Sequence, residues 1–272
     1  MSGALYRGFT SAAEIDQQYD QSRVVGYKQA YIEAYRRRSA AARARRAHTR
    51  LRYGPAAEEG ADVFAGSDPR RPLLLFIHGG YWVALRAADF HHVALGFPEY
   101  TVVVADYGLC PGNSLPGIAA QMRRLLATLQ QRRLVGAAGL VAIGHSAGGQ
   151  QVGLLADAGL RGLVSLSGLF DLAPLRHSWL QPLIRLTPET VASESPLRRL
   201  PDRAPPLLTL VGAQESAEFQ RQSRDYLGAW RRRGLRGEGG LIAARNHFTL
   251  VTELDDPQAP TTRRLRRFLE RL

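Results

Sequence analysis

The chain has 272 residues, 45% of them hydrophobic, and carries a formal charge of +12. This length is enough for one large domain with a sizeable core. A single cysteine, Cys110, excludes an internal disulfide, and no apolar run is long enough to cross a bilayer. Because the N-terminus lacks the apolar stretch of a secretory signal, we expect a cytoplasmic protein.

The positive charge comes almost entirely from arginine, and Lys28 is the only lysine. The arginines are scattered along the chain and no nucleic-acid-binding motif accompanies them, so binding to nucleic acid or to a membrane surface is the weaker hypothesis. No cluster of His, Cys and Asp has the spacing of metal ligands. We therefore expect a small-molecule substrate and neither a metal nor a cofactor, and a homodimer stays open.

Residues 1–53 differ in composition from the rest of the chain, being polar, rich in arginine and helical by pattern. Within them, 27–38 is predicted to be a helix with Tyr27, Tyr31, Ile32 and Tyr35 on one face. We predict a helical N-terminal extension packed on a single main domain.

Five apolar runs of strand length follow and alternate with helical segments. They are 73–77, 139–143, 163–166, 207–211 and 240–244. This alternation predicts an α/β domain with a mostly parallel central sheet and helices on both faces. The proline-containing segment at about 171–200 is predicted to be a short cap that carries specificity.

The run 73–77 ends in His78-Gly79-Gly80-Tyr81-Trp82. Backbone N–H groups in such a glycine-containing loop can stabilise a developing oxyanion, and we assign this role to Gly79, Gly80 and Tyr81. His78 is expected to support the loop by hydrogen bonds.

A serine flanked by glycines follows the run 139–143, in the stretch Gly144-His145-Ser146-Ala147-Gly148. A tight turn from strand to helix lifts a serine Oγ above the sheet and requires small neighbours. Ser146 is therefore the predicted nucleophile, and the N–H of Ala147 is the predicted further oxyanion donor.

A carboxylate and a histidine follow the serine in the order that an α/β-hydrolase triad requires. His247, in Asn246-His247-Phe248, is the predicted base. Glu215 is the preferred acid because it lies in the loop after the run 207–211. Asp171 and Glu218 stay as alternatives. Two further histidines, His91 and His92, are expected on a surface helix.

These motifs together resemble the kynurenine formamidase (arylformamidase) family of α/β-hydrolases. The resemblance lies in the HGGYW loop, the GHSAGG elbow, the segment 167–175, Ser195-Pro196, the acid loop 211–223, the Asn-His-Phe turn and the N-terminal segment 14–20. The family usually has Asp where this chain has Glu215. The resemblance implies the α/β-hydrolase fold and cleavage of N-formyl-L-kynurenine to L-kynurenine and formate through a formyl-enzyme on Ser146.

An aryl formamide has only hydrogen on the acyl side, so the pocket should be closed there and broad and aromatic on the leaving-group side. Candidate walls are Tyr81, Trp82, Phe170, Trp179 and Phe248. An arginine is expected to hold a substrate carboxylate, although the sequence does not identify which one. The alternatives are a carboxylesterase of small acyl esters and a deformylase of another N-formylated metabolite.

Overall fold

An eight-stranded sheet forms the centre of the molecule, as seen in a computed structural model that describes residues 4–272. The strands are β1 Thr49–Arg52, β2 Gly60–Phe64, β3 Leu73–Ile77, β4 Val102–Ala105, β5 Leu140–His145, β6 Gly162–Leu166, β7 Leu207–Gly212 and β8 Gly237–Ile242. Their spatial order is β1-β2-β4-β3-β5-β6-β7-β8. β1, β2 and β4 pair antiparallel, and all pairs from β4 to β8 are parallel.

Within residues 4–272, ten α-helices and several short 3₁₀ turns connect and flank the strands. The helices are α1 Ala12–Tyr19, α2 Gln21–Val25, α3 Lys28–Arg45, α4 Leu115–Gln131, α5 Ala147–Leu154, α6 Gln181–Ile184, α7 Pro188–Glu194, α8 Ala217–Arg232, α9 Thr249–Thr252 and α10 Pro260–Leu269. Within the described part of the chain, none of them has both the length and the apolar character needed to traverse a bilayer.

The core has one apolar layer on each face of the sheet. In β3, Leu75 and Ile77 belong to one buried cluster, while Leu74 and Phe76 belong to the other. Successive strand residues point to opposite faces, and a strand covered on both faces is apolar throughout. This confirms the predicted α/β class with helices on both faces.

The five apolar runs all lie in or overlap strands, and the sheet contains three more. β1 is the edge strand, with the exposed sequence TRLR, and does not have the apolar character of a buried strand. β1 begins at Thr49, so the helical part of the N-terminal extension ends at Arg45 and not near Tyr53.

The expectation of a surface helix at His91 and His92 is wrong. Both side chains are buried in a short 3₁₀ segment, His91–Gly96. His91 Nε2 lies 2.8 Å from Asp62 Oδ2. His92 packs under α3, with Nδ1 3.1 Å from Ser39 Oγ. Tyr27 also departs from the predicted apolar face, because it is 64% exposed at the start of α3.

Candidate active site

Ser146 lies in the turn between β5 and α5 with φ +56° and ψ −118°, and it is only 1% exposed. A positive φ is strained for a residue other than glycine, and such strain persists only where the surroundings impose it. Close packing imposes it here, since a Cβ added at Gly148 would lie 2.0 Å from the carbonyl oxygen of Ile77. The turn thus has the strand-to-helix geometry predicted for a nucleophile.

His247 and Glu215 form a buried pair on the loops that follow β8 and β7. His247 Nδ1 lies 2.7 Å from Glu215 Oε2. The other carboxylate oxygen, Oε1, accepts hydrogen bonds from Ser167 Oγ at 2.5 Å and from the Gly212 N–H at 2.7 Å. Because the carboxylate accepts from Nδ1, the imidazole carries its proton there and keeps Nε2 as the basic nitrogen.

The two alternative acids make other contacts. Glu218 pairs with Arg221, at 2.5 Å, and accepts a hydrogen bond from Tyr19. Asp171 accepts a hydrogen bond from the Tyr6 hydroxyl at 2.8 Å. Among the residues that the structure describes, Glu215 is the carboxylate paired with His247. Glu215 therefore reaches the histidine from the loop after β7.

His145 connects the serine turn to the histidine turn. Its Nε2 lies 2.9 Å from the carbonyl oxygen of His247, and the two rings are 4.6 Å apart. Burial lowers the pKa of His145 well below its usual value, so the ring is neutral and donates from Nε2. Its Nδ1 is buried and, within residues 4–272, has no hydrogen-bond partner.

The loop after β3 packs directly on the serine turn. A Cβ added at Gly79 would lie 3.0 Å from Ser146 Cβ, which shows how closely the two backbones approach. His78 supports the loop as expected, with Nδ1 2.7 Å from the Gly79 carbonyl oxygen.

The predicted oxyanion donors have N–H groups available. In the described chain, no acceptor takes the N–H of Gly79, Gly80, Tyr81 or Ala147. Ala147 is the first residue of α5, where a helical N–H has no partner within the helix. Unpaired N–H groups beside a buried serine hydroxyl are suited to stabilise a negative oxygen.

A cavity of about 330 Å³ opens at this point. Ser146, His145 and His247 line its floor, together with Gly80, Tyr81, Val83, Ala84, Leu85, Phe90, Trp179 and Phe248. Its size is at the lower end of the range of small-molecule sites. Ser146 and His247, which are 101 positions apart in sequence, thus share one cavity because parallel strands end at the same edge of the sheet.

The N-terminal extension contributes eight residues to the lining of this cavity, which we call its roof, and no sequence pattern predicted this role. Roof residues are Asp20, Gln21, Ser22, Lys28, Gln29, Ile32, Tyr35 and Arg36. The predicted cap, 171–200, contributes only Trp179 to the lining. The tyrosines on one face of α3 were the sequence feature that could have indicated this position. In the structure Tyr31 stacks on Phe248, with ring centroids 5.0 Å apart, and the Tyr35 hydroxyl donates to the Phe248 carbonyl oxygen at 2.8 Å.

Three of the five predicted aromatic walls line the cavity: Tyr81, Trp179 and Phe248. The other two predictions are corrected. Trp82 is fully buried and donates from Nε1 to Gln150 at 3.1 Å. Phe170 is fully buried as well and stacks on Tyr226 at 4.0 Å. Both are therefore core residues and do not line the cavity.

Comparisons with known proteins identify the family of this chain. A family model described as alpha/beta hydrolase family matches residues 74–272. The chain is 26% identical to a kynurenine formamidase of Danio rerio over 223 residues, 75% of each chain. It is 27% identical to a kynurenine formamidase of Drosophila melanogaster over 242 residues, 79% of each chain.

Solved structures share the fold at lower sequence identity. A Silicibacter sp. protein described as a candidate thioesterase superposes with a TM-score of 0.83 at 23% identity, covering 92% of this chain and 98% of its own. Esterase LipW of Mycobacterium marinum superposes with a TM-score of 0.70 at 18% identity, covering 96% of both chains. The family match, the fold and the serine turn together show that the chain is a hydrolase of the alpha/beta hydrolase family, and its sequence is similar to those of kynurenine formamidases.

Proposed function

We propose that this protein hydrolyses an aryl formamide, N-formyl-L-kynurenine, to L-kynurenine and formate. The observation that carries the proposal is the buried Glu215–His247 pair beside Ser146, in a chain that aligns with kynurenine formamidases over 75% of its length. The pair supports the mechanism, and the alignment supports the substrate.

In the first half of the reaction, Ser146 Oγ attacks the formyl carbon while His247 Nε2 takes the hydroxyl proton. The carbonyl oxygen becomes an alkoxide, for which the N–H groups of the loop after β3 and of Ala147 serve as donors. Glu215 holds the imidazole in the required tautomer and stabilises its charged form.

Collapse of this intermediate breaks the bond between the formyl carbon and the nitrogen. His247 returns its proton to the departing aromatic amine, which leaves as kynurenine. Water then attacks the formyl ester of Ser146 with His247 again as base, and formate and the free serine result.

The shape of the cavity supports an aromatic leaving group. Tyr81 and Trp179 meet edge to face with ring centroids 5.8 Å apart, and Phe248 forms another wall. These aromatic side chains, together with Tyr35 and Phe90 of the same lining, suit a flat ring that must be held while its nitrogen is protonated.

The test compares turnover of N-formylkynurenine with turnover of short p-nitrophenyl esters by the purified protein and its Ser146→Ala variant. We expect formamide hydrolysis that falls by about 10⁴-fold or more in the variant, the scale seen when a triad serine is removed. Ester turnover without formamide hydrolysis would overturn the substrate assignment and favour a carboxylesterase. Formamide hydrolysis that survives in the variant would overturn the mechanism.

A further inference from the structure

The only lysine of this chain lies at the cavity that contains Ser146 and His247. The sequence has 36 basic residues, and all except Lys28 are arginine. Lys28 is the first residue of α3 and is part of the cavity roof. Lys28 is exposed to solvent as well as lining the cavity, so its side chain is accessible to a ligand.

The other charged side chains of the roof, Arg36 and Asp20, each lie within 4 Å of an oppositely charged side chain. Arg36 Nε lies 3.1 Å from Asp89 Oδ1. Asp20 accepts the Ser22 N–H at 3.0 Å and lies 3.5 Å from Arg23.

Lys28 differs from these groups. Within residues 4–272, no carboxylate lies within 4.0 Å of its ammonium nitrogen. The roof therefore presents one positive charge without a carboxylate partner, on an exposed residue that also lines the cavity.

From these contacts we propose that Lys28 is an anion-binding residue of the substrate site and holds a carboxylate on the leaving-group part of the substrate. This inference rests on the proposed hydrolysis of an aryl formamide. It replaces the expectation that an arginine performs this role, because the roof arginine, Arg36, is paired with Asp89.

The position of Lys28 relative to the scissile bond follows from the chemistry. A formyl group carries only hydrogen beyond its carbonyl carbon, so a substrate anion can be only on the amine side. A leaving group as large as kynurenine needs most of the cavity lining, which includes the roof and the aromatic walls. An ammonium group there attracts a carboxylate and repels a cationic substrate, so it selects among aryl formamides by charge.

The first experiment measures charge selectivity with a matched pair of substrates, 2-formamidobenzoate and formanilide, which differ only in one carboxylate. The quantity is the ratio of kcat/KM for the anionic to the neutral substrate. We expect Lys28→Gln to lower this ratio by about tenfold and Lys28→Arg to retain most of it, since the contact is charge-assisted but partly exposed to solvent.

The matched control is Arg37→Gln, which removes the same charge from the same helix. Arg37 is exposed and is not part of the cavity lining. The ratio should remain at the wild-type value in this variant. An equal fall in Lys28→Gln and Arg37→Gln would show a general effect of helix charge and would overturn the proposal.

A second experiment reads binding directly and does not depend on turnover. Reductive ¹³C-methylation labels only Lys28 and the chain's amino terminus, because there is no other lysine. In the Ser146→Ala protein, 2-formamidobenzoate should shift the dimethyl-lysine resonance in a saturable manner. Formanilide should leave it in place, and the amino-terminal resonance is the internal control.

The outcomes separate this inference from the proposed function. Formamide hydrolysis without charge selectivity, or with an unmoved dimethyl-lysine resonance, overturns the role of Lys28 and leaves the function intact. If only esters are hydrolysed, the pair becomes 4-acetoxybenzoate and phenyl acetate. A preference for the anionic ester that Lys28→Gln abolishes would then support the anion site but not the formamidase assignment. If the wild-type protein shows no such preference, the anion site is overturned.

Discussion

The Nε2–H of His145 donates to the backbone carbonyl oxygen of His247 across 2.9 Å. His145 ends β5 and His247 follows β8, and two strands, β6 and β7, lie between them in the sheet. The contact therefore bridges the serine turn and the histidine turn directly. It ties the backbone of the predicted base to the turn that carries the predicted nucleophile, which local structure on either side could not do alone.

Loss of this bridge should lower the catalytic rate more than it changes substrate affinity. We expect His145→Ala to reduce kcat by about 10- to 100-fold with little change in KM, because small displacements of a base are costly. His145→Gln, which keeps a donor, should restore part of the rate. Steady-state kinetics and thermal unfolding of both variants check this. Equal activity of the two variants would contradict a role for the donor.

Glu215 is predicted to be the acid that orients His247. Glu215→Gln should lower kcat by about 10³- to 10⁴-fold, because an amide favours the wrong tautomer of the imidazole. Asp171→Asn is the matched control, since Asp171 bonds to Tyr6 and not to His247. The kcat of both variants is the measurement. A larger loss in the Asp171 variant would refute the assignment.

His92 makes stability depend on pH. Burial lowers its pKa from 6.5 to about 4, so between these values the unfolded chain binds more protons than the folded one. The contribution of the neutral His92 ring to the free energy of unfolding is complete above pH 6.5 and is lost as the pH falls toward 4. At pH 5 the loss from this group should be about 2 kcal/mol.

Urea unfolding of the wild-type protein and of His92→Gln at pH 7.5 and pH 5 measures this effect. The glutamine can replace the contacts to Ser39 and Val251 but does not titrate. The variant should therefore lose less stability on acidification than the wild type. An identical loss in both proteins would assign the pH dependence to other groups.

Tyr19 anchors the roof of the cavity to α8. Its hydroxyl donates to Glu218 at 2.7 Å and accepts from Gln222 at 2.9 Å. Tyr19→Phe should lower the free energy of unfolding by about 1–3 kcal/mol, because a buried carboxylate loses a donor. It should also raise KM, because α1 leads directly into the roof. Tyr27→Phe, at an exposed position, is the control, and it should leave both thermal stability and KM unaltered.

Much of the site could be predicted from short segments of sequence. The turn around Ser146 is determined locally: a buried strand, small neighbours and a following helix produce it wherever they occur together. Glu215 and His247 could be named from chain order alone. Their pairing could not be predicted, because Asp171 and Glu218 also place a carboxylate after a strand or in a nearby helix. Only the folded chain shows which of the three carboxylates reaches the imidazole.

The walls of the cavity were less predictable. Trp82 and Phe170 follow strands next to catalytic motifs, as Tyr81 and Phe248 do, yet they are core residues. Which side of a loop faces a cavity depends on the packing of its neighbours. The sequence around an aromatic residue does not show whether that residue lies in the core or lines a cavity.

The amino-acid sequence by itself determined five of the eight strands, the mostly parallel sheet, the serine turn and the order of the candidate triad, because each follows from short motifs and from their order along the chain. Only the tertiary structure decided that the N-terminal extension lines the cavity, that Glu215 is the partner of His247 and that Lys28 lies at the cavity. These are contacts between segments up to about two hundred residues apart. They form only when the sheet brings loops from distant strands to one edge, and no local pattern records that proximity.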